Sequence, residues 1–329
     1  MKRSGHIFHT GRTLWAATLL LGLLLGGCGR PAPQAGEGPL RGTISVSGAF
    51  ALYPMVIRWG EEFKALHPDV QFDISAGGAG KGMTDVLAGA VDMAMVSRSI
   101  RQEEIDKGAF WVGVTMDAVL PTVNANNPHL ARIQAQGVPS ATFEAIWTGQ
   151  IATWGQVIGD PAVNDPIHIY TRSDACGAAE TWAAYLGGYK QEDLQGIAVN
   201  GDPGLATAVT QDPLGIGYNN LNFAYDAGTG QPVTGLQIAP LDLDADGQLD
   251  ADERFYATKA GVMAAIADGR YPRPPARPLN LVTLGAPAGL AKAFMQWVLT
   301  DGQAFVEETG YIPLPQEQLQ EYLARLEQR

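Results

Sequence analysis

The chain is predicted to adopt an α/β fold, and three observations lead there. Short β-type runs alternate with amphipathic runs of helical spacing from residue 43 to residue 314. Twice, a β-type run passes through a turn of small residues straight into a helical run, which delivers the backbone to a helix N-terminus. From Cys28 onward 302 of the 329 residues remain, enough for one large core or two lobes.

The first residues decide the compartment. Lys2, Arg3 and Arg12 form a basic segment ahead of an apolar stretch, Leu14–Leu25. That stretch fits a signal peptide and is too short for the roughly 30 Å hydrocarbon core of a bilayer. It runs into Leu25-Gly26-Gly27-Cys28, a spacing that resembles the lipobox of bacterial lipoproteins, with residues 1–27 removed and Cys28 lipidated. Residues 28–41 are rich in Pro and Gly and read as a flexible tether. The expected location is extracytoplasmic, lipid-anchored to the bacterial cell membrane.

Along the mature chain each element has its own signal. Thr43–Ser47 reads as a strand. Tyr53–Leu66 reads as a helix, with Met55, Val56, Trp59, Phe63 and Leu66 near helical spacing, stopped at His67-Pro68. Val70–Ser75 alternates as a second strand, Gly77–Gly82 is a glycine-rich turn, and Met83–Ala88 begins a helix. Val91–Val96 is a third strand, and Val119–Val123 a crossing strand. Phe143–Thr148 and Trp154–Val157 are short helices. Ile167–Tyr170 leads as a strand into the helix Ala178–Leu186, and Gly215–Tyr218 is a short strand. Leu279–Leu284 is a strand returning to the first lobe, Ala288–Leu299 a helix, and the charged tail a solvated terminal helix. Trp59, Trp147, Trp154 and Trp182 sit in apolar runs and are expected in the core.

Charge bounds the partners. The formal charge is −12, and removing the three basic residues of the signal leaves −15. Nucleic acid, which needs a basic face, is excluded as a partner. An anion site must then be local, built from aimed backbone amides and one or two cations. Ser75–Gly82 and Arg172–Thr181 are the two strand–turn–helix segments that suit one. The first is no P-loop, because Lys81 is followed by Gly82. In the second, Arg172 can hold an oxyanion in bidentate fashion, and Asp174 can brace the guanidinium or accept a proton from the ligand. Read blandly, the same residues are a tight turn and a surface Arg–Asp pair with Asp174 as a helix cap.

Five segments together carry a resemblance. Ser45–Ile100, Ile146–Val157, Tyr170–Trp182, Gly215–Leu221 and Leu279–Leu314 resemble, in the same order, the phosphate-binding proteins of phosphate ABC transporters. The resemblance implies a type 2 periplasmic-binding-protein fold, with two lobes joined by crossing hinge strands. Residues 42–122 plus 280–329 would form lobe 1 and residues 123–279 lobe 2. It implies a ligand site at Ser47, Ala49, Phe50, Gly78, Ala79, Gly80, Ser97, Arg98, Arg172, Asp174, Cys176, Gly177 and Ala178. Ala79, Cys176 and Ala178 stand where the family has Ser, Ser and Thr, so three hydroxyl donors are missing. The resemblance implies capture of phosphate or a related oxyanion for a membrane permease, as a monomer without enzymatic activity.

Three alternatives remain open. One is a binder of sulfate, molybdate, tungstate or a small acid. Another is an enzyme using Cys176, whose place at a helix N-terminus beside Arg172 should lower its pKa. A third is a scaffold whose ligand is calcium alone. Calcium itself is expected at Asp242–Glu253, which matches an EF-hand loop: Asp242, Asp244, Asp246 and Asp250 at positions one, three, five and nine, Gly247 at six, Gln248 at seven and Glu253 at twelve. The run before it reads as a strand, so the ion would be structural rather than a sensor's.

Overall fold

The computed structural model describes residues 39–328; the predicted signal peptide and Cys28 lie outside the described residues. Its strands are β1 (Gly42–Gly48), β2 (Val70–Ala76), β3 (Met93–Val96), β4 (Ala109–Asn124), β5 (Val138–Pro139), β6 (His168–Arg172), β7 (Ile197–Val199), β8 (Gly215–Asn220), β9 (Leu236–Ile238), β10 (Leu241–Asp242) and β11 (Ala276–Leu284). The main sheet runs β2-β1-β3-β11-β4-β8-β6-β7, with β9 also on β4, while β10 and β5 pair separately.

Two strands explain the two-lobed architecture. β4 pairs antiparallel with β11 through Ala109–Ala118, then with β8 through Val119–Val123. The change of partner falls between Ala118 and Val119. There the Tyr271 hydroxyl donates to the Val119 carbonyl (2.5 Å) and the Val119 N–H donates to the Pro275 carbonyl (3.2 Å). From sequence only Val119–Val123 at its end is recognisable, because Gly113 and Asp117 interrupt the apolar run before it; both are buried all the same. β4 is covered on both faces, as strands flanked by helices are.

Each half-sheet has its own aromatic core. Phe63, Phe72, Phe294 and Trp297 meet in the first lobe, and Phe143, Trp147, Trp182 and Tyr218 in the second. The four tryptophans expected inside are buried.

Two expectations need correction. The helix after the glycine-rich turn starts at Ala79 and not at Met83, running Ala79–Leu87. Glycine lies inside it because the helix rests on β1: a Cβ on Gly82 would meet Gly48 Cα at 2.6 Å and the Ser47 carbonyl at 2.8 Å. The terminal helix, Gln316–Glu327, is docked rather than solvated, with Leu319 and Leu326 buried. The Tyr322 ring packs on Gly113, and the Arg325 guanidinium lies 3.9 Å from the Trp111 ring centroid. Sequence reading also passed over the helices Gly201–Gln211 and Lys259–Asp268. Among the described residues, no helix is long and apolar enough to cross a membrane.

Candidate ligand-binding cleft

β1, β2 and β3 run parallel in the first lobe, and β6 and β7 run parallel in the second. Their carboxyl ends carry the turns Ser47–Ala51, Gly77–Gly80, Ser97-Arg98, Arg172–Ala178 and Gly201-Asp202. In open α/β sheets this edge is where ligands bind.

The two strand–turn–helix segments converge. The Gly80 N–H donates to the Ala175 carbonyl across the seam (3.0 Å). A Cβ on Gly78 would lie 2.8 Å from the Ala175 carbonyl oxygen and 2.9 Å from Asp174 Oδ2. A Cβ on Gly177 would lie 2.1 Å from the Ser97 carbonyl oxygen and 2.3 Å from its Oγ. Phe50 reaches over to Gly201 and places its ring 5.6 Å from the Arg172 guanidinium carbon. The lobes therefore abut, backbone to backbone.

Several expected donors are already engaged. The Ser47 hydroxyl donates to Asp85 Oδ2 (2.7 Å), and the Ala49 N–H to the Met95 carbonyl (2.9 Å). The Gly78 N–H donates to the Gly48 carbonyl (3.0 Å), and the Cys176 N–H to Gln191 Oε1 (3.1 Å). Gly177 and Ala178 open the helix Gly177–Tyr185, so their amides have no intrahelical acceptor. Ala79 holds the same position in its own helix.

The charged groups form a buried network. Arg172 donates from Nε and Nη2 to Asp174 (2.8 and 2.6 Å) and from Nη1 to Asp202 Oδ2 (2.6 Å). Its side chain is fully buried. These bonds use three of its five N–H groups. Burial works to raise the Asp174 carboxyl, but Arg172 and the Gly201 N–H outweigh it and hold it below the usual carboxylate range. Asp202 in turn accepts from Asn220 Nδ2 (2.6 Å), and Asn220 accepts from Arg277. Arg277 also donates to the Ser97 carbonyl (2.8 Å) and lies 3.7 Å from Asp117. Burial pushes the Asp117 carboxyl up to about 6, against the pull of Arg277.

Arg98 is committed elsewhere. It donates to both carboxylate oxygens of Glu104 (2.9 and 2.7 Å) and lies 3.4 Å from Glu180 on the opposite lobe. Arg101 donates to the same Glu180 oxygen (2.6 Å). A carboxylate as buried as Glu104 requires a cation, and Arg98 is the one that serves it.

The alternative of a reactive thiol loses its footing. Cys176 caps the helix Gly177–Tyr185, its Sγ accepting from the Ala179 N–H at 3.4 Å. Burial pushes the thiol up to about 12, more than the Arg172 charge pulls it down. A thiol that weakly ionised is no nucleophile at neutral pH. His168, at the other end of β6, is exposed and bonds Asp212 through Nδ1 (2.7 Å).

Sequence reading missed Asp202, Glu104, Glu180, Gln191, Asn220 and Arg277. One signal was available for Asp202: Gly201-Asp202-Pro203 follows a β-type run, and Gly201 takes a φ of 73° as the helix Gly201–Gln211 begins. Glu104 and Glu180 carry no such mark, since each looks like an ordinary helix-surface carboxylate.

A sheet divided between two lobes by crossing strands, with helix N-termini opposed across the seam, defines a two-lobed binding-protein architecture. The chain belongs to the family described as the PBP superfamily domain, which it matches over residues 33–302. Its relatives include the phosphate-binding protein PstS of Bacillus subtilis (strain 168), 26% identical over 310 residues, which cover 92% of each chain. PstS of Xylella fastidiosa is 24% identical, over 86% of this chain and 84% of that one. A substrate-binding protein of Clostridium perfringens, assigned to a phosphate ABC transporter and solved with bound phosphate, superposes with a TM-score of 0.67. It is 20% identical and covers 83% of this chain and 100% of its own. The fold is that of type 2 periplasmic-binding proteins.

Proposed function

We propose that this protein captures inorganic phosphate outside the cytoplasm and delivers it to the permease of an ABC importer. The observation that carries the reading is the meeting of Gly78–Gly80 with Arg172–Gly177 across the lobe seam. The free amides of Ala79, Gly177 and Ala178 and the two remaining N–H groups of Arg172 are the donors offered to an oxyanion. The relatives named as phosphate-binding proteins support the same ligand.

The network also favours a ligand that still carries a proton. Asp174 and Asp202 flank Arg172, so two negative charges face one positive one. A carboxylate can only accept hydrogen bonds, which suits the P–OH of hydrogen phosphate and repels fully deprotonated sulfate. Ligand capture would hold the lobes in the abutting state, favouring the form that the permease recognises. No catalytic step is required of any residue.

Residues 1–27 would direct export and Cys28 would carry the lipid, keeping the carrier at the membrane. Export of a Cys28→Ser variant into the medium would support the anchor.

Calorimetry on protein stripped of bound anions tests the ligand. Phosphate should bind one to one and sulfate at least about 100-fold more weakly, a gap of ~3 kcal/mol. Tungstate or sulfate binding with no phosphate heat would replace phosphate as the ligand.

A further inference from the structure

We propose that the loop from Asp242 to Glu253 binds one calcium ion, independently of the phosphate site. Three groups converge there. Carboxylate oxygens of Asp242, Asp244 and Asp246 all lie within 4.8 Å of one another. Like charges at that spacing repel unless a cation lies between them.

The second observation is Asp242 itself. It is only 2% exposed. Its Oδ2 accepts the Gly247 N–H (3.0 Å), whereas Oδ1 is buried with no hydrogen-bond partner. A buried carboxylate oxygen left unpaired is costly, and a coordinated cation removes that cost. Protein cations do not serve it: among the described residues no Lys, Arg or His pairs with Asp242, Asp244, Asp246, Asp250 or Glu253. The nearby Arg254 donates to the Leu249 carbonyl (2.7 Å), and Arg270 is paired with Asp268.

The rest of the loop is shaped to close round an ion. Ala245 and Gly247 take φ values of 61° and 80°, turning the backbone around the three aspartates. Glu253 is buried and folds back into the loop, its Oε1 accepting the Leu243 N–H (2.5 Å) and its Oε2 the Asp250 N–H (3.0 Å). The donors are then Asp242, Asp244, Asp246, the Gln248 carbonyl and Glu253, with Asp250 reaching through a water. Such an all-oxygen set suits calcium; zinc would want nitrogen or sulfur, and magnesium fewer protein ligands.

The consequence is local stiffening of the second lobe. β10 pairs with β5 at Asp242 and Pro139. The Leu249 N–H donates to the Ala135 carbonyl (3.1 Å), and the Tyr256 hydroxyl accepts from the Leu241 N–H (3.2 Å). An ion at the loop would fasten this segment.

The mature protein, treated with chelator and kept in phosphate-free buffer, is titrated with calcium chloride and melted with calcium or EDTA. One site should saturate, and Tm should rise by roughly 5 °C at a hundredfold excess over Kd. Magnesium at the same concentration should give less than half that shift. Asp244→Asn and Glu253→Gln should each weaken calcium binding at least about tenfold. Asp244 is exposed, so its variant keeps the test informative even if Glu253→Gln folds poorly. Equal melting in calcium and EDTA, an equal magnesium shift, or an undiminished shift in Asp244→Asn would each overturn the proposal. Phosphate binding measured in EDTA should be unchanged throughout, which separates failure here from failure of the phosphate reading.

Discussion

Substituting Gly177 by alanine should separate folding from lobe closure. Gly177 opens the helix Gly177–Tyr185, and its backbone is one that alanine adopts freely. In isolation the change should add about 0.5–1 kcal/mol of helix stability. Across the seam the new methyl would sit 2.1 Å from the Ser97 carbonyl oxygen, where ordinary contact begins at 3.4 Å. The neighbour is backbone, so the lobes must part by about 1 Å or more. That separation disrupts the bond from the Gly80 N–H to Ala175 and the ion pairs of Glu180 with Arg98 and Arg101. One backbone bond and one partly exposed ion-pair cluster together contribute about 2 kcal/mol. Phosphate affinity should fall at least ~30-fold. Calorimetry reads the affinity, X-ray scattering with and without phosphate reads the closure, and thermal melting of the ligand-free protein reads stability. An alanine variant that binds and compacts like the wild type would show that the seam at Gly177 is not the closing surface.

Three further outcomes follow from the buried charges. Arg172→Met leaves Asp174 and Asp202 facing each other without a cation; urea denaturation should show a loss of about 3–5 kcal/mol and calorimetry no phosphate heat. Asp117 has a folded pKa of about 6, above its ordinary value of 3.8, so the folded chain binds more protons between those values. Its contribution to stability is most favourable below pH 4 and is lost as pH rises through 6; Asp117→Asn should therefore gain on the wild type from pH 4 to 7.5, by up to about 3 kcal/mol in urea melts. A difference that does not change with pH would refute that assignment. Native Cys176 should resist iodoacetamide at pH 8 and react only on unfolding, as its burial and raised pKa require.

Much of the candidate site was legible because its parts are local. A β-run, a small-residue turn and a helix start occupy one stretch of chain, and each segment announces itself without reference to the other. The exact helix start at Ala79 was hidden, since glycines normally mark turns and here they permit a helix to lie against β1. The carboxylates around the arginines were hidden for another reason. Glu180 lies 79 positions from Arg101, and Asp202 lies 30 from Arg172, so nothing in spacing joins them.

The sequence by itself determined the α/β class, the order of the two strand–turn–helix segments and the acidic loop with EF-hand spacing, because each depends on contacts within a few residues. The tertiary structure decided the electrostatics. Burial converted Cys176 from a candidate thiolate into a neutral cap, drew Arg98 to Glu104, and set two carboxylates on Arg172. Charge interactions depend on distance and solvent exposure, and both are set only once the two lobes meet.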